Sequence, residues 1–571
     1  MSSTHASDRT RKLAGPLVVL ALLALGGFFV ANLPKGPDHP RFVGAGNPEP
    51  VNGGTFQWTV GSNVRTLDPH IAYDSVSYQA IRLVFDGLLD YDPDGNLIAV
   101  LAESLPEISA DGKIFRFRLK DGIRFHDGLE LTAEEVSWSL HRMLSKRTGS
   151  PGYAFFSALR GVADYHEGKA ERIEGIVVED RLTIRFELTH SDQTFLNAMA
   201  TTFSYPISRA HFERLGGDRT KIAQHPVGAG PFAFEGWERG VKLSFTRFED
   251  YHAPYARPDT MVMWENVDAT TAARRFRNGD IDVLAGAPKV HLLFFLESEA
   301  WKPYFTLEPN VAVFGLAMNC EMPPLDDVHV RRAIAAAIDR KTITDYMLGL
   351  AVPAGQPLPP QLKGHDAELE TLQTYDPERA KEELALAGYP NGLPKPIEVW
   401  IGEGEGPRNI AQLWQSDLEA VGIPVRLRQV AWATYLAETG KEKSVQMFSS
   451  GWSMDFPDPS NFLDPLFHSR SIHPQHSENR SFYRNPELDR LLDEGRAEVD
   501  PEKRAALYHE ANAIVARDAP WAFLFYPVDF DAWQPYVKNF RPHAVWSDYR
   551  SVWLDLPRRP ATPEDFEEAR R

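Results

Sequence analysis

Carboxylates set among aromatics and prolines are the groups of this chain best suited to chemistry. The densest case is Gly451-Trp452-Ser453-Met454-Asp455-Phe456-Pro457-Asp458-Pro459-Ser460, which follows the apolar run Val445-Gln446-Met447-Phe448. Prolines restrict the backbone, so a loop of this kind holds its shape before anything binds. A preformed pocket with an aromatic wall and one charge is how small-molecule sites are commonly built. The same residue types also make ordinary turns, and the stretch alone does not choose between the two. Three histidines, His468, His473 and His476, share a polar loop with Ser and Arg. They could hold a metal, but no acidic ligand pattern accompanies them, and the expectation is a solvated loop with no metal site. His509-Glu510 lacks the second histidine of a zinc motif, and the single cysteine, Cys320, reads as a small buried residue. There is no Gly-x-Ser-x-Gly elbow, no His-Glu-x-x-His, no Walker loop and no Cys-x-x-Cys. These absences favour binding over catalysis, with no cofactor. Catalysis by carboxylates far apart in sequence is the alternative that spacing leaves open.

The elements that must position such a loop are legible from periodicity. Thr55-Phe56-Gln57-Trp58-Thr59-Val60 alternates apolar and polar, as a strand does, and a helix is expected through Tyr78–Phe85. Phe115, Phe117 and Leu119 alternate with Arg116, Arg118 and Lys120 between Asp-Gly turns, predicting an antiparallel strand with one wet face. Thr132 and Glu135 have the spacing of a capping box, with Leu131 placed to staple onto Val136. Val136, Leu140, Met143 and Leu144 then form one apolar stripe. A second alternating strand is expected at Leu182–Leu188. Gly228-Ala229-Gly230-Pro231-Phe232 fits neither nucleotide fingerprint and reads as a tight strand-entry turn, followed by a strand at Lys242–Arg247. A helix is expected at Thr270–Asn278, and a short buried strand at Gly279–Val283. Further on, Asp326 and Asp327 precede a helix through Val330 and Ile338. Asp376-Pro377-Glu378, Asn485-Pro486-Glu487 and Asp500-Pro501-Glu502 each place a cap, a proline and an acid at a helix start. Ile397–Ile401 and Val425–Leu427 are predicted strands with an amphipathic helix between them, a spacing that favours a parallel pair.

At 571 residues the chain divides into several lobes, and apolar and charged fractions of 43% and 25% are those of a globular protein. A net charge of −18 argues against nucleic acid or an anionic membrane surface as the main partner. Arg9, Arg11 and Lys12 precede an uncharged run from Leu13 to Leu33, long enough for a bilayer, which needs about 20 apolar residues. Basic residues on its near side place the body outside the cytoplasm. The exit Phe28-Phe29-Val30-Ala31-Asn32-Leu33 offers no good cleavage site, so an uncleaved anchor is expected over a cleaved signal. A Pro/Gly-rich spacer follows to Gly54.

Several stretches, in order, resemble the extracellular solute-binding proteins of family five, the oligopeptide and dipeptide receptors of ABC importers. They are Gly61-Ser62-Asn63-Val64-Arg65-Thr66-Leu67-Asp68-Pro69-His70, Leu101-Ala102-Glu103-Ser104-Leu105, Asp111-Gly112-Lys113, Phe125-His126-Asp127-Gly128 and Leu131-Thr132-Ala133-Glu134-Glu135-Val136. Val227–Phe232, Asn278–Asp282, Val330–Ala335, Gly451–Pro459 and Tyr483–Asp489 complete the series, which spans nearly all of the body.

The resemblance implies an α/β fold: a two-lobed, hinged periplasmic-binding-protein architecture, type II-like, with three domains and, here, an N-terminal transmembrane helix. The expected division is 1–12 cytoplasmic, 13–33 anchor or signal, 34–54 linker, and 91–210 an inserted small domain. One lobe is drawn from 55–90, 211–308 and 523–557, the other from 309–522, with a charged tail at 558–571. The resemblance further implies that short peptides bind between lobes that close over them and pass to permease subunits served by cytoplasmic ATPases. The receptor would be a monomer anchored on the outer side of the cytoplasmic membrane. Asp455 matches an aspartate that pairs with the peptide α-ammonium in peptide-binding members, with Trp452, Ser453 and Met454 beside it and Asn63 and Val64 lining the cleft. Asp458 is expected to shape the turn. Ala229 and Phe232 stand where the family often has Thr and Tyr, and the anchor departs from members that are free in the periplasm or are lipoproteins. The alternatives are a non-peptide ligand (a nickel chelate, an oligosaccharide or an opine), or a sensor or chaperone-like binder without transport.

Overall fold

The computed structural model describes residues 49–253, 257–403, 405–475, 477–542 and 547–555. The expected anchor at Leu13–Leu33, most of the spacer after it and the charged tail lie outside these residues. No helix among the described residues is long and apolar enough to cross a membrane.

Alternation builds the first sheet. In Thr55–Thr59 the side chains of Phe56 and Trp58 are buried on one face. The strand pairs in parallel with Thr260–Trp264, which is followed by antiparallel Lys242–Arg247 and Phe232–Glu238. The helix Ser75–Val84 supplies Tyr78, Ile81 and Val84 to the same core, and the Asp74 side chain caps it by accepting from Ser77 N at 2.8 Å. The glycine-rich segment is the expected tight turn. A Cβ on Gly228 would fall 2.1 Å from the Val84 carbonyl oxygen, and one on Gly230 2.6 Å from the Val84 carbonyl carbon, so only glycine lets the turn close on the helix end. The C-terminal segment returns here too: Tyr549, Val552 and Leu554 join this core, and Arg550 donates to Asp86 at 3.1 Å and Asp90 at 2.6 Å.

The second sheet is antiparallel, in the order Glu107–Ile108, Ile114–Arg118, Thr183–Glu187, Ile176–Val178. Phe115 and Phe117 point into a core shared with the helix Ala133–Leu144. The expected capping box does not form: Thr132 caps with no side-chain hydrogen bond, and the Glu135 carboxylate, expected to turn back on the cap, accepts from Arg209 N at 3.2 Å. The local partner loses to a tertiary one.

The third sheet has eight strands. Its path runs Val283–Ala285, Trp521–Trp533, Ala312–Met318, Met447–Ser453, Ile397–Gly402, Val425–Val430, with Phe305–Pro309 and Ala351–Pro353 also paired to Trp521–Trp533. Ile397–Gly402 and Val425–Val430 are parallel and joined by the helix Glu405–Ala420, as their spacing predicts. Asp376, Asn485 and Asp500 each cap a helix whose first residue is proline. The strand expected at Gly279–Val283 begins later, at Val283. Gly279 ends the preceding helix with φ 81°, and Asp282 turns inward to accept from Gln57 N at 2.6 Å and Tyr536 Oη at 2.8 Å. Trp521–Trp533 is one continuous strand, pairing along its first half with Ala312–Met318 and along its second with Phe305–Pro309.

Candidate functional site

The strand Met447–Ser453 runs further than its sequence indicated. Trp452 and Ser453, read as loop, pair with Val313 and Ala312, because a neighbouring strand is there to receive their hydrogen bonds. The loop proper begins at Met454, whose N–H donates to the Val311 carbonyl at 3.2 Å, and ends at the helix Ser460–Phe467.

Asn461, in the first turn of that helix and nearly buried, holds the loop in shape. Its Oδ1 accepts from Asp455 N at 2.8 Å and from Trp452 Nε1 at 3.4 Å, while its Nδ2 donates to Asp455 Oδ2 at 3.1 Å. Phe456 leaves the loop for the core of the second sheet, 6.0 Å from Phe155 edge to face. Asp458 accepts from Ser460 N at 2.9 Å and Oγ at 2.6 Å, and from Arg504 at 2.8 Å. Burial would lift the Asp458 carboxyl, but Arg504 and Ser460 bring it below the ordinary aspartate range.

Asp455 is different. Its Oδ1 accepts from the Tyr73 hydroxyl at 2.8 Å, across 382 residues of sequence. No Lys, Arg or His among the described residues forms an ion pair with it. Burial pushes its carboxyl above the ordinary value, and the hydrogen bonds from Asn461 and Tyr73 offset this only in part. The phenol of Tyr73 is raised in turn by burial and by Asp455's charge, and the same charge is among the causes that raise Tyr78. Glu478 is raised by its own desolvation and then by Asp455. Each carboxylate oxygen of Asp455 has a lone pair left after these contacts, and the Tyr73 oxygen keeps acceptor capacity while it donates. The arrangement therefore lacks a positive charge with N–H donors, such as an ammonium.

Asn63 and Val64 lie in another set of contacts. Val64 N donates to Glu265 Oε1 at 2.6 Å, and Asn63 Oδ1 accepts from Asn266 Nδ2 at 2.6 Å. Among the described residues no hydrogen bond or ion pair joins them to Asp455 or Trp452. The residue that reaches Asp455 from the first part of the chain is Tyr73, which sequence reasoning missed. Its sequence signal was no more than a large aromatic just ahead of a helix cap; in the structure it is 49% exposed and set against Phe203 at 5.6 Å. Asn461 had no signal by type.

The remaining candidates resolve structurally. His468 lies 3.2 Å from Asp489 and 3.4 Å from Asp493, His476 lies outside the described residues, and no group of three or more potential metal ligands occurs among the described residues. Desolvation pushes the Cys320 thiol up to about 11, which leaves it protonated.

A cavity of about 690 Å³ adjoins Tyr78. Ser75, Gln79 and Tyr549 line it on the side of the first sheet, and Glu308, Asn310, Asp529 and Asp531 on the side of the third. A larger hollow, about 1380 Å³, lies between the helix Ala133–Leu144 and the 209–220 segment, with a wall of mixed charge. None of the residues that contact Asp455 borders it.

A family model for bacterial extracellular solute-binding proteins, family 5 (middle), matches residues 96–473. Heme-binding protein A of Haemophilus influenzae is 30% identical over 85% of this chain and 89% of its own. Di/tripeptide-binding protein 2 of Pseudomonas aeruginosa is 31% identical over 83% and 89%. The structure of the periplasmic binding protein DppA from Helicobacter pylori, in complex with the peptide STSA, superposes with a TM-score of 0.72 at 27% identity, covering 88% of this chain and 99% of that one.

Proposed function

The chain belongs to the bacterial extracellular solute-binding proteins, family 5, and we propose that it captures short peptides beside Asp455 and delivers them to the permease of an ABC importer. The observation that carries this reading is Asp455 itself. It is a half-buried carboxylate, its carboxyl raised by partial desolvation and held by two neutral donors, at a junction that draws Tyr73 from the start of the chain and Asn461 from its later part. A buried anion costs free energy until a cation pairs with it, and a peptide α-ammonium supplies three N–H donors with the missing charge. Relatives named for di- and tripeptides, and a related structure that holds a peptide, support the same ligand class.

In this reading residues 55–90, 211–308 and 523–557 form one lobe, 91–210 the small domain and 309–522 the other lobe. The Trp521–Trp533 strand crosses between the lobes and serves as part of the hinge. Trp452, Ser453 and Met454 flank the ammonium position, with Asn63 and Val64 further along the cleft. The run Leu13–Leu33 anchors a monomeric receptor on the outer face of the cytoplasmic membrane. Isothermal titration calorimetry with tri- and tetra-alanine, together with native mass spectrometry of the purified protein, tests the proposal. Micromolar or tighter binding and a co-purifying peptide mass are expected. No heat with any free-amino peptide, and a retained mass belonging to another ligand class, would overturn it.

A further inference from the structure

The cavity beside Tyr78 carries an unusual wall. The strand Phe305–Pro309 runs antiparallel to Trp521–Trp533 in a register that sets Glu308 directly opposite Asp529 and Thr306 opposite Asp531. Asp529 and Asp531 are two residues apart on one strand, so they share a face, and all three carboxylates line the cavity. Like charges directly opposed across strands are destabilising. A sheet that needed only stability would place a lysine or a neutral residue here.

The neighbours do not neutralise this wall. Among the described residues Asp529 accepts only from the Asn310 amide, at 2.7 Å, and Glu308 only from the Thr306 hydroxyl, at 2.7 Å. Asp531, half-buried between the exposed Glu308 and Asp529, has no hydrogen-bond or ion-pair partner among the described residues. Of the other charges in the lining, Asp548 is taken up by Arg82 and Arg550, Asp94 adds to the negative wall, and Arg541 is the one described cation. The opposite side presents the rings of Tyr78, Phe540 and Tyr549 and the amide of Gln79. Carboxylates facing aromatic rings across a cavity make a site for an organic cation: the acids supply charge and acceptors, and the rings supply π faces.

We propose that Glu308, Asp529 and Asp531 form a second cation subsite, which receives a side-chain ammonium or guanidinium of the bound peptide and selects basic peptides. This rests on the peptide reading above. Ser75, which lines this cavity, stands two residues from Tyr73, whose hydroxyl donates to Asp455 at 2.8 Å, so the two places lie within the reach of one peptide.

Calorimetry tests it with tripeptides carrying, at the second or third position, lysine, its uncharged isostere norleucine, or glutamate. Lysine is expected to bind at least 10-fold more tightly than norleucine in one position, and glutamate more weakly than either. In the double variant Asp529→Asn/Asp531→Asn the lysine preference falls to within about twofold, while norleucine peptide affinity is kept. The variant's thermal midpoint is expected to stay level or rise, because the opposed charges are gone, and norleucine binding itself shows that the fold is intact. Equal lysine and norleucine affinities at every position, with binding still abolished by N-acetylation, would overturn the subsite and leave the peptide reading standing. Binding of no tripeptide would overturn both. If 1,5-diaminopentane alone bound as tightly as the lysyl peptide, the site would belong to a free diamine and the peptide form of the proposal would fall.

Discussion

Substituting Asp455 by Asn removes one negative charge and leaves nearly the same shape. The Asn461 Nδ2 bond, 3.1 Å in the native protein, survives if the new carbonyl oxygen faces Asn461, and the Tyr73 hydroxyl can then accept where it donated. The fold should therefore hold, and the unliganded thermal midpoint should stay level or rise slightly, because a desolvated charge has been removed. Ligand binding is affected differently. A hydrogen bond to a charged group contributes about 1.5–3 kcal/mol, and removing one partner of a buried ion pair costs about 3–5 kcal/mol. Asparagine keeps a neutral acceptor, so we take about 3 kcal/mol, or roughly a 100-fold weaker Kd at 1.4 kcal/mol per decade. The assay is a two-by-two calorimetric cycle: native protein and Asp455→Asn, each titrated with tri-alanine and with N-acetyl-tri-alanine. Acetylation removes the ammonium, so it should cost the native protein about as much as the substitution does and cost the variant little. Affinity in the native protein should also fail on acidification at a higher pH than an ordinary aspartate would dictate, because burial has raised the Asp455 carboxyl and only its ionised form pairs with an ammonium. Additive effects of acetylation and substitution, or a variant Kd within twofold of native, would refute the reasoning.

Other outcomes follow from the same geometry. Tyr73→Phe removes a hydrogen bond to a carboxylate worth about 1.5–3 kcal/mol between the two parts of the chain, and small-angle scattering of the unliganded protein should show a larger radius of gyration. An unchanged radius would separate Tyr73 from closure. Arg142 donates to Asp68 at 2.5 and 3.0 Å and contacts His70 at 2.7 Å, all buried. Arg142→Leu strands a buried carboxylate, with an expected loss of about 3–5 kcal/mol in denaturant unfolding. Asp531 is pushed up to about 7 by burial and by Asp529 and Glu308, with Asp94, Asp548, Arg541, Tyr78 and Tyr549 the other charged or titratable groups around the cavity. Its folded value lies above its unfolded one, so its contribution to stability is present below the unfolded value and is lost as pH rises through about 7. Asp531→Asn should therefore flatten the fall in thermal midpoint between about pH 4 and 7, and an unchanged slope there would count against the assignment.

Much of the local structure was legible in the sequence because it depends on neighbours along the chain. A period of two buried Phe56 with Trp58 and Phe115 with Phe117, and cap-proline-acid triplets marked three helix starts where the side chain must satisfy backbone N–H groups within two or three residues. The reading failed where a distant group competed. Glu135 abandoned its box for Arg209 N, Trp452 and Ser453 became strand because Val313 and Ala312 run beside them, and Asp282 turned from a strand to meet Gln57 and Tyr536.

The candidate site divides along the same line. The sequence by itself determined that a proline-stiffened stretch carries Asp455 and Asp458, while the division of their expected roles came from the family resemblance and not from residue type or spacing. Only the tertiary structure decided that Tyr73 completes the Asp455 site, that Asn461 orients it and that no basic side chain among the described residues neutralises it. It alone decided, too, that Glu308 faces Asp529. Those facts depend on which strands pair and in what register, and register is set by the buried faces of whole sheets.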